Sequence, residues 1–336
     1  MHLWIKGINT DQLSSVRGIG KYTEMIVEAI KQYGKNENLI LNKVDQQIML
    51  YPGFSPYQLV HLDKTKINIL VIHDLIPLKY PQHFSAGIKG KLIWQQNKLL
   101  LKQFQGFITD TEVVKKDIIR LIKIKPEKIS VIPAAAKKLY EKRTKSQKIE
   151  LNYSLPNDYV LYVGDVNWNK NLVNLAKAIQ KLNLNMVMVG KALTDKTQIN
   201  HPWQKDFKQF NDLIKNDKKF TLLGYIPDED LLTLYQQAKL LLMPSFDEGF
   251  GLPWLEASLV STPVVLGDNP VLQEVAGKAA YFVKPDQFEN IVKGIHTVLK
   301  KPDKNMKKKQ ANQVKMYTQK QFVKNLSTSL HKFFND

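Results

Sequence analysis

The sequence of 336 residues contains no cysteine, only three arginines and no long apolar run. Without cysteine the chain can form neither disulfides nor a thiolate nucleophile, which fits a reducing compartment. No apolar run approaches the ~18 residues that a membrane-spanning helix needs, and the N-terminus lacks the apolar core of a signal peptide. His73 and His83 have no further ligands at metal-binding spacing. We therefore expect a cytoplasmic protein with no metal site and no cofactor.

Lysine, in contrast, is abundant. The chain has 49 Lys and Arg against 31 Asp and Glu, a formal net charge of +18. Residues 1–155 carry 25 basic and 13 acidic side chains, and residues 156–336 carry 24 and 18, so the two parts have charges of +12 and +6. This excess favours anionic partners such as nucleotide diphosphates or acidic lipids, although lysines spread for solubility would give the same count. Nucleic-acid readers usually present arginines on a recognisable module, so no nucleic-acid partner is expected.

Apolar runs alternate with amphipathic stretches along the whole chain, which predicts an α/β fold with parallel sheets. In the first half the pattern predicts strands at 3–8, 39–44, 67–72, 107–109 and 129–133, and helices at 19–33, 88–105 and 111–123. In the second half it predicts strands at 159–163, 186–189, 220–224, 239–243, 263–266 and 280–283, and helices at 171–182, 204–216, 229–238 and 287–300. We expect two Rossmann-like domains, residues 1–150 and 151–315, with a Lys-rich linker near 137–153. Ligands of such sheets bind beyond the carboxyl ends of the strands, and a cleft between facing domains is the expected active site.

Residues 245–256 place two carboxylates around a glycine turn. They read Ser-Phe-Asp-Glu-Gly-Phe-Gly-Leu-Pro-Trp-Leu-Glu, follow an apolar strand that ends at Pro244, and lead into a helix for which Pro253 suits the first turn. Turn amides and the helix dipole together favour a bound anion. Glu248 and Glu256 would accept hydrogen bonds from sugar hydroxyls beside a bound phosphate, although acidic residues near a helix N-terminus are also common without a ligand.

This segment, with Thr262-Pro-Val-Val265 and Glu274-Val-Ala-Gly277, resembles the Glu-x7-Glu signature of family 4 retaining glycosyltransferases. The resemblance runs in order from about residue 16 to the C-terminus. It implies the GT-B fold: an N-terminal acceptor-side domain, a C-terminal domain that binds the nucleotide sugar, and a last helix within 316–336 that crosses back. It also implies that Glu248 contacts the donor sugar and Glu256 the ribose. The resemblance implies that Gly249, Phe250, Gly251 and Leu252 lie beside the hexose and diphosphate.

The segment 162–171 resembles the first strand and phosphate loop of that family's C-terminal domain. Lys170 is the implied partner of the pyrophosphate, where an ammonium offsets the charge on the leaving group. Gly164 and Asn169 belong to the same loop and are expected to contact the donor. The sequence departs from the pattern at Asn169, where the family usually has Arg, and at Asp165, which is basic in some members. Loss of a bidentate guanidinium would weaken diphosphate binding by ~1–3 kcal/mol unless another basic residue compensates.

Two further loops resemble those that hold the nucleotide base in the family. Gly190 and Ile226 follow predicted strands, and backbone contacts carry most of the recognition there. The base therefore stays open between uracil, guanine and thymine.

The glycines of Arg17-Gly18-Ile-Gly20-Lys-Tyr22 follow the first predicted strand. A lone Gly-x-Gly is weak, and a glycine turn that enters a helix would look the same. The family has a similar loop beside the donor diphosphate and the acceptor. The resemblance therefore implies donor contacts at Gly18 and Gly20 and acceptor-side positions for Arg17 and Tyr22.

His73 and Asp74 end a strongly apolar strand. A polar pair at that position is typical of a cleft, or it is a structural pair in which Asp74 orients the imidazole. The pair resembles the family's His-Asp-Leu element, whose histidine lies against the donor hexose, and Asp74 is expected on the acceptor side. Thr109 and Asp110 occupy the family's Val-Ser-Glu turn. They either shape the acceptor side or, as we favour, cap the helix at 111–123.

The resemblance implies an enzyme that moves a hexose from a nucleotide diphosphate sugar to a hydroxyl of a saccharide or lipid-linked acceptor, with retention and without a metal. The motifs most resemble those of the family's mannosyl- and rhamnosyltransferases. No carboxylate in the matched motifs is placed as a covalent nucleophile, so front-face displacement is expected, with His73, Glu248 and Lys170 as catalytic residues. Three alternatives stay open: an inactive sugar-nucleotide-binding protein, a nucleic-acid-binding protein and an epimerase of the same fold.

The predicted helix at 88–102 is amphipathic and basic, with two interpretations. In the one we favour, the apolar side chains pack on the sheet: Leu92, Ile93, Leu99 and Leu100. In the other, four lysines rest on anionic headgroups and Trp94 enters the interface: Lys89, Lys91, Lys98 and Lys102. The second would make the protein peripheral on the inner face of the plasma membrane.

Overall fold

A computed structural model describes residues 1–6, 18–42, 47–141, 153–195 and 202–335. The chain forms two compact units, one from Met1–Lys137 with Met316–Asp336 and one from Lys138–Lys315. Each unit is built on a six-stranded sheet in which all pairs are parallel. The predicted α/β class with two Rossmann-like domains, as in the GT-B fold, is confirmed.

The strands of each unit follow one another along the chain. Those of the first unit are β1 (His2–Ile5), β2 (Ile40–Leu41), β3 (Ile48–Tyr51), β4 (Ile67–Val71), β5 (Gly106–Thr109) and β6 (Ile129–Val131). Those of the second are β7 (Val160–Val163), β8 (Met186–Val189), β9 (Phe220–Leu223), β10 (Leu240–Met243), β11 (Val264–Gly267) and β12 (Tyr281–Val283). The predicted strands all have counterparts here, while β3 was not predicted.

The helices cover the sheets. Those of the first part of the chain are α1 (Gly18–Tyr33), α2 (Ile76–Lys79), α3 (Gly87–Leu100) and α4 (Glu112–Ile122). The following ones are α5 (Leu172–Leu182), α6 (Lys191–Thr194), α7 (Lys205–Ile214), α8 (Asp228–Gln237), α9 (Leu252–Leu259), α10 (Pro270–Ala276), α11 (Phe288–Lys300), α12 (Met306–Gln313) and α13 (Gln319–Asn335). No helix in the described ranges is both long and apolar enough to cross a membrane.

The first unit has the strand order β2-β1-β3-β4-β5-β6. Its last helix, α13, comes from the other end of the chain and packs on α1. The ring of Phe322 meets that of Tyr22 edge-on at 6.0 Å, and the Gln319 amide donates to Glu28 at 2.8 Å. The Ser327 hydroxyl donates to the Glu37 carbonyl at 3.0 Å. Residues from both ends of the sequence therefore build one core.

Helix α3 presents aliphatic side chains to solvent. Ile88, Leu92 and Leu99 are 83%, 62% and 64% exposed, so the expectation that Leu92 and Leu99 pack on the sheet is wrong. The buried residues of α3 are Gly90 and Asn97. The Asn97 amide group binds the backbone of residues 56–60, and this polar contact helps to hold the helix. Ile93 and Leu100, the other two residues expected to pack on the sheet, are half-buried.

The second unit has the strand order β12-β11-β10-β7-β8-β9. The chain starts at β7, fills one side with β8 and β9, and then continues on the other side of β7 with β10. The order therefore reverses between β7 and β10. Such a reversal opens a crevice beyond the carboxyl ends of the two strands, because their following loops leave in opposite directions.

Candidate active site

The loops that follow β7 and β10 are joined by Asn169. Its backbone carbonyl accepts from the Phe246 amide at 2.8 Å, and its side-chain amide donates to the Asp247 carbonyl at 2.9 Å. Asn171 adds a third link by donating to the Pro244 carbonyl at 3.0 Å. Asn169 is buried, so the residue that replaces the family's usual Arg is used to hold the two loops together.

Lys170 and Glu248 form an ion pair at this junction. The Lys170 ammonium lies 2.8 Å from Oε1 and 2.7 Å from Oε2 of the carboxylate, and the Ser245 hydroxyl donates to Oε1 at 2.7 Å. Glu248 is buried and Lys170 half-buried. The sequence assigned these residues to different parts of a donor, and the structure brings them into direct contact. Two charges and a hydroxyl are therefore concentrated beyond the ends of the neighbouring strands β7 and β10.

The glycine turn leads directly into α9. Gly251 has φ +85°, which favours glycine, and Pro253 lies in the first turn of the helix as predicted. The first amides of a helix have no partner within it. Within the described ranges, Gly251 and Leu252 donate their amides to no other residue. Together with the helix dipole, these amides are suited to an anion, while the Phe250 side chain is buried beside Trp254.

Glu256 lies one turn into α9 and is buried. The Tyr235 hydroxyl of α8 donates to its Oε2 at 2.8 Å. Sequence reasoning missed Tyr235, because in the sequence it is one more residue of an amphipathic helix. Its contact with Glu256 exists only because α8 and α9 pack side by side.

The ends of β7, β8 and β9 approach one another closely. A Cβ atom at Gly190 would lie 2.0 Å from the Gly164 carbonyl oxygen, so only glycine fits there. The Gly190 amide shares the carbonyls of Leu223 and Gly224 at 3.2 Å each, and Ile226 is buried just beyond. Packing within the second unit is enough to explain why Gly190 is a glycine and why Ile226 is apolar. The contact of these two residues with a nucleotide base stays a prediction.

In the first unit, His73 follows β4 and is bonded at both ring nitrogens. Nδ1 lies 2.6 Å from Asp110 Oδ2 and Nε2 lies 2.9 Å from the Pro52 carbonyl oxygen. The Tyr22 ring packs edge-on against the imidazole at 4.4 Å. Asp74, which was expected to orient His73, instead accepts from the Ile76 amide at 3.0 Å. The orienting carboxylate is that of Asp110, which follows the neighbouring strand β5.

The charge of His73 follows from these partners. The Pro52 carbonyl can only accept, so Nε2 carries a proton, and an ionised Asp110 likewise accepts from Nδ1. Burial by itself lowers the pKa of His73. The Asp110 carboxylate, the Pro52 carbonyl and nearby Asp74 outweigh burial, so the pKa of His73 is raised above its ordinary value. The site therefore favours a positively charged imidazolium.

The remaining predicted residues of the first unit lie around this pair or outside the described ranges. Thr109 is completely buried in β5, and neither Thr109 nor Asp110 caps α4. That cap is Thr111, whose hydroxyl accepts from the Val114 amide at 3.2 Å. Gly18 and Gly20 belong to the first turn of α1, and Arg17 lies outside the described residues. No group of three or more potential metal ligands occurs among the described residues.

Comparison with known proteins identifies relatives of this chain. Residues 143–320 match the sequence model of the family described as glycosyl transferases group 1. The chain is 29% identical over 238 residues to the O-antigen chain mannosyltransferase RfbU of Salmonella typhimurium, a match that covers 70% of this chain and 61% of that protein. It is 27% identical over 261 residues to the O-antigen chain mannosyltransferase B of Escherichia coli, covering 74% and 64%. The matches thus span less than two thirds of the length of these relatives.

Solved structures of low sequence identity share the fold. Anabaena HepE in complex with UDP and glucose superposes with a TM-score of 0.71 at 15% identity, covering 98% of this chain and 99% of that one. A glycosyltransferase from Rickettsia africae superposes with a TM-score of 0.66 at 14% identity, covering 100% and 99%.

Proposed function

This chain belongs to the family of glycosyl transferases group 1, and from that membership we propose that it transfers a hexose from a nucleotide diphosphate sugar to a hydroxyl of a saccharide or lipid-linked acceptor. Mannose is the favoured sugar, because both O-antigen relatives are mannosyltransferases. The observation that carries the proposal is the Lys170–Glu248 pair beside the N-terminus of α9, at the strand-order reversal of the second unit.

In this proposal the diphosphate binds the α9 amides and Lys170. An ammonium has three N–H donors, so Lys170 can bridge the Glu248 carboxylate and a phosphate oxygen at the same time. Glu248 accepts from the hydroxyls of the sugar, and Glu256 accepts from the ribose. Positive charge near the pyrophosphate stabilises the leaving group as the bond to the anomeric carbon breaks.

Transfer with retention is proposed to follow front-face displacement. Lys170 and Ser245 already bond to both oxygens of Glu248, which opposes a role for that carboxylate as a covalent nucleophile. The acceptor hydroxyl attacks on the side from which the diphosphate departs, and a phosphate oxygen takes its proton. The protein contributes orientation and charge. A role for the His73 imidazolium toward the donor hexose stays a prediction. No metal is needed for this reaction in the proposal.

A lipid-linked acceptor would bring the protein to a membrane surface. The exposed side chains of α3 include Ile88, Leu92 and Leu99 and the lysines at 89 and 91, and Lys102 is exposed just after the helix ends. Aliphatic side chains flanked by lysines suit the headgroup region of an anionic bilayer. We propose reversible, peripheral binding on the cytoplasmic face.

A second candidate function has one observation in its favour. Asn169 replaces the usual Arg and, buried, donates its side-chain amide to the Asp247 carbonyl, which would suit a protein that binds a sugar nucleotide without transferring the sugar. Thermal-shift measurements with UDP-, GDP- and dTDP-sugars should identify the donor, since a ligand at 100-fold its Kd stabilises the fold by about 2.7 kcal/mol. Transfer or hydrolysis of that donor supports the enzyme. Stabilisation without any turnover supports the binding protein, and no stabilisation by any donor contradicts both.

A further inference from the structure

Glu256 has a single hydrogen-bonding partner in the described part of the chain. That partner is the Tyr235 hydroxyl, 2.8 Å from Oε2, and no bond to Oε1 is found there. Both side chains are buried, so the direction of the carboxylate is set by this one contact. A carboxylate held through one oxygen presents the other in a fixed direction.

Tyr235 is itself held in place from two sides. The Thr262 hydroxyl donates to its backbone carbonyl at 2.6 Å, and the Tyr140 ring packs edge-on against its ring at 6.1 Å. Gln310 in turn donates to the Thr262 carbonyl at 2.8 Å. The backbone and the ring of Tyr235 are therefore both held by buried neighbours.

The hydroxyl of Tyr235 remains a donor at neutral pH. Burial, and then the Glu256 carboxylate, raises the pKa of Tyr235 well above its ordinary value. The phenol keeps its proton, so the bond to Oε2 is a hydrogen bond to an acceptor that is negatively charged when ionised. Such charge-assisted bonds are among the stronger ones in proteins.

We infer that Tyr235 is a positioning residue for nucleotide recognition: it fixes Oε2 of Glu256 so that Oε1 is aimed at a ribose hydroxyl of the donor. The inference rests on the proposed function, in which Glu256 holds the ribose. It predicts that discrimination between ribose and deoxyribose depends on Tyr235, although the phenol acts on the nucleotide only through Glu256.

The test measures Kd by calorimetry for UDP and GDP and for their 2′-deoxy and 3′-deoxy forms. The wild-type protein should prefer the ribose form over at least one deoxy form by about tenfold, the value of one hydrogen bond to a charged group. Glu256→Gln and Tyr235→Phe should both reduce this ratio towards one. The matched control is Tyr159→Phe, because the Tyr159 hydroxyl is also buried but donates to the Leu234 carbonyl at 2.9 Å. The control should keep the wild-type ratio.

The possible failures are separable. If Glu256→Gln keeps the wild-type ratio, or if the wild-type protein binds neither UDP nor GDP, the ribose role of Glu256 is wrong and the inference is overturned with it. The proposed function is wrong as well only if dTDP, measured in the same way, does not bind either. If Glu256→Gln loses the ratio while Tyr235→Phe keeps it, only the inference is overturned. In a further outcome, Tyr235→Phe lowers the affinity for the ribose and deoxyribose forms by the same factor, so that their ratio stays at the wild-type value. That result assigns Tyr235 a structural role and also overturns the inference.

Discussion

Lys170 and Glu248 are joined through both carboxylate oxygens, at 2.8 and 2.7 Å, although 78 residues separate them in the sequence. Each residue therefore sets the position of the other before any donor arrives. A partly buried ion pair of this kind loses much more when one partner is removed than an exposed pair does, because the remaining charge stays desolvated.

Replacement of Glu248 by Ala should reduce sugar transfer at least ~100-fold, because it removes both the proposed sugar contact and the carboxylate that binds Lys170. Lys170→Met should have a similar effect, and the double variant should be less impaired than the product of the two single effects. The control is Asp158→Ala, which breaks an exposed pair with Lys239 at 2.8 Å. Single-turnover rates and circular dichroism provide the measurement. If the turnover of Glu248→Ala equals that of the wild type, Glu248 does not bind the donor sugar.

The His73–Asp110 pair predicts a particular pH dependence of stability. The pKa of His73 is raised in the folded state, and its ordinary value is about 6.5. The stabilisation is therefore fully present below about 6.5 and is lost as the pH rises through the raised folded value. The free energy of unfolding of the wild type relative to His73→Gln should fall over that range, as measured by urea unfolding between pH 5 and 9. His296→Gln, on an exposed position of α11, is the control. A pH-independent difference would contradict a charged His73.

Activity should persist in excess EDTA. Neither half of the sequence has an Asp-x-Asp element at a strand end, and in the proposed mechanism Lys170 and the α9 amides supply the positive charge for the diphosphate. Initial rates after chelation and dialysis should match those of the untreated protein. Complete loss of activity that Mn²⁺ or Mg²⁺ restores would show that the reaction needs a metal.

The α3 surface predicts binding to anionic vesicles. At about 1 kcal/mol for each lysine near the surface, the lysines at 89, 91, 98 and 102 should give reversible adsorption that high salt reduces. Cosedimentation with anionic liposomes should fall when these four charges are reversed and, separately, when Leu92 and Leu99 are replaced by Ser. Reversal of the exposed lysines at 205, 208, 215 and 218 is the matched control. Equal binding to neutral vesicles, or no effect of the α3 variants, would contradict a membrane role.

Much of the fold could be predicted from local patterns. Strands such as β8 are continuous apolar runs between polar segments, and Pro253 marks the start of α9. The strand β3 was not predicted, although its four buried residues form as continuous an apolar run as those of β8. An apolar run of four residues fits a strand or another buried segment equally well, so the pattern alone does not decide between them.

The site was less predictable, because its contacts join residues that are distant in the sequence. Asp74 is adjacent to His73 and was therefore the natural partner, yet neighbouring residues on an extended chain point to opposite sides. Asp110 reaches the imidazole because β4 and β5 are parallel neighbours, with Val71 paired to Ile108. Once the strand order is known, this partner can be deduced. The contact between Tyr235 and Glu256 needs the packing of two helices as well, and no sequence pattern specifies it.

The position of α13 has a consequence for the synthesis of the protein. The second unit is one continuous stretch, Lys138–Lys315, and it can fold as soon as that stretch has left the ribosome. The first unit begins earlier, but the helix that covers α1 is complete only about 200 residues after Lys137, where the first segment of that unit ends. At ~5–20 residues per second, the face of α1 that this helix covers therefore stays uncovered for roughly 10–40 s after that segment has been made. The half that is translated first is therefore the last to be completed, and the nascent chain must keep that face from other partners in the meantime.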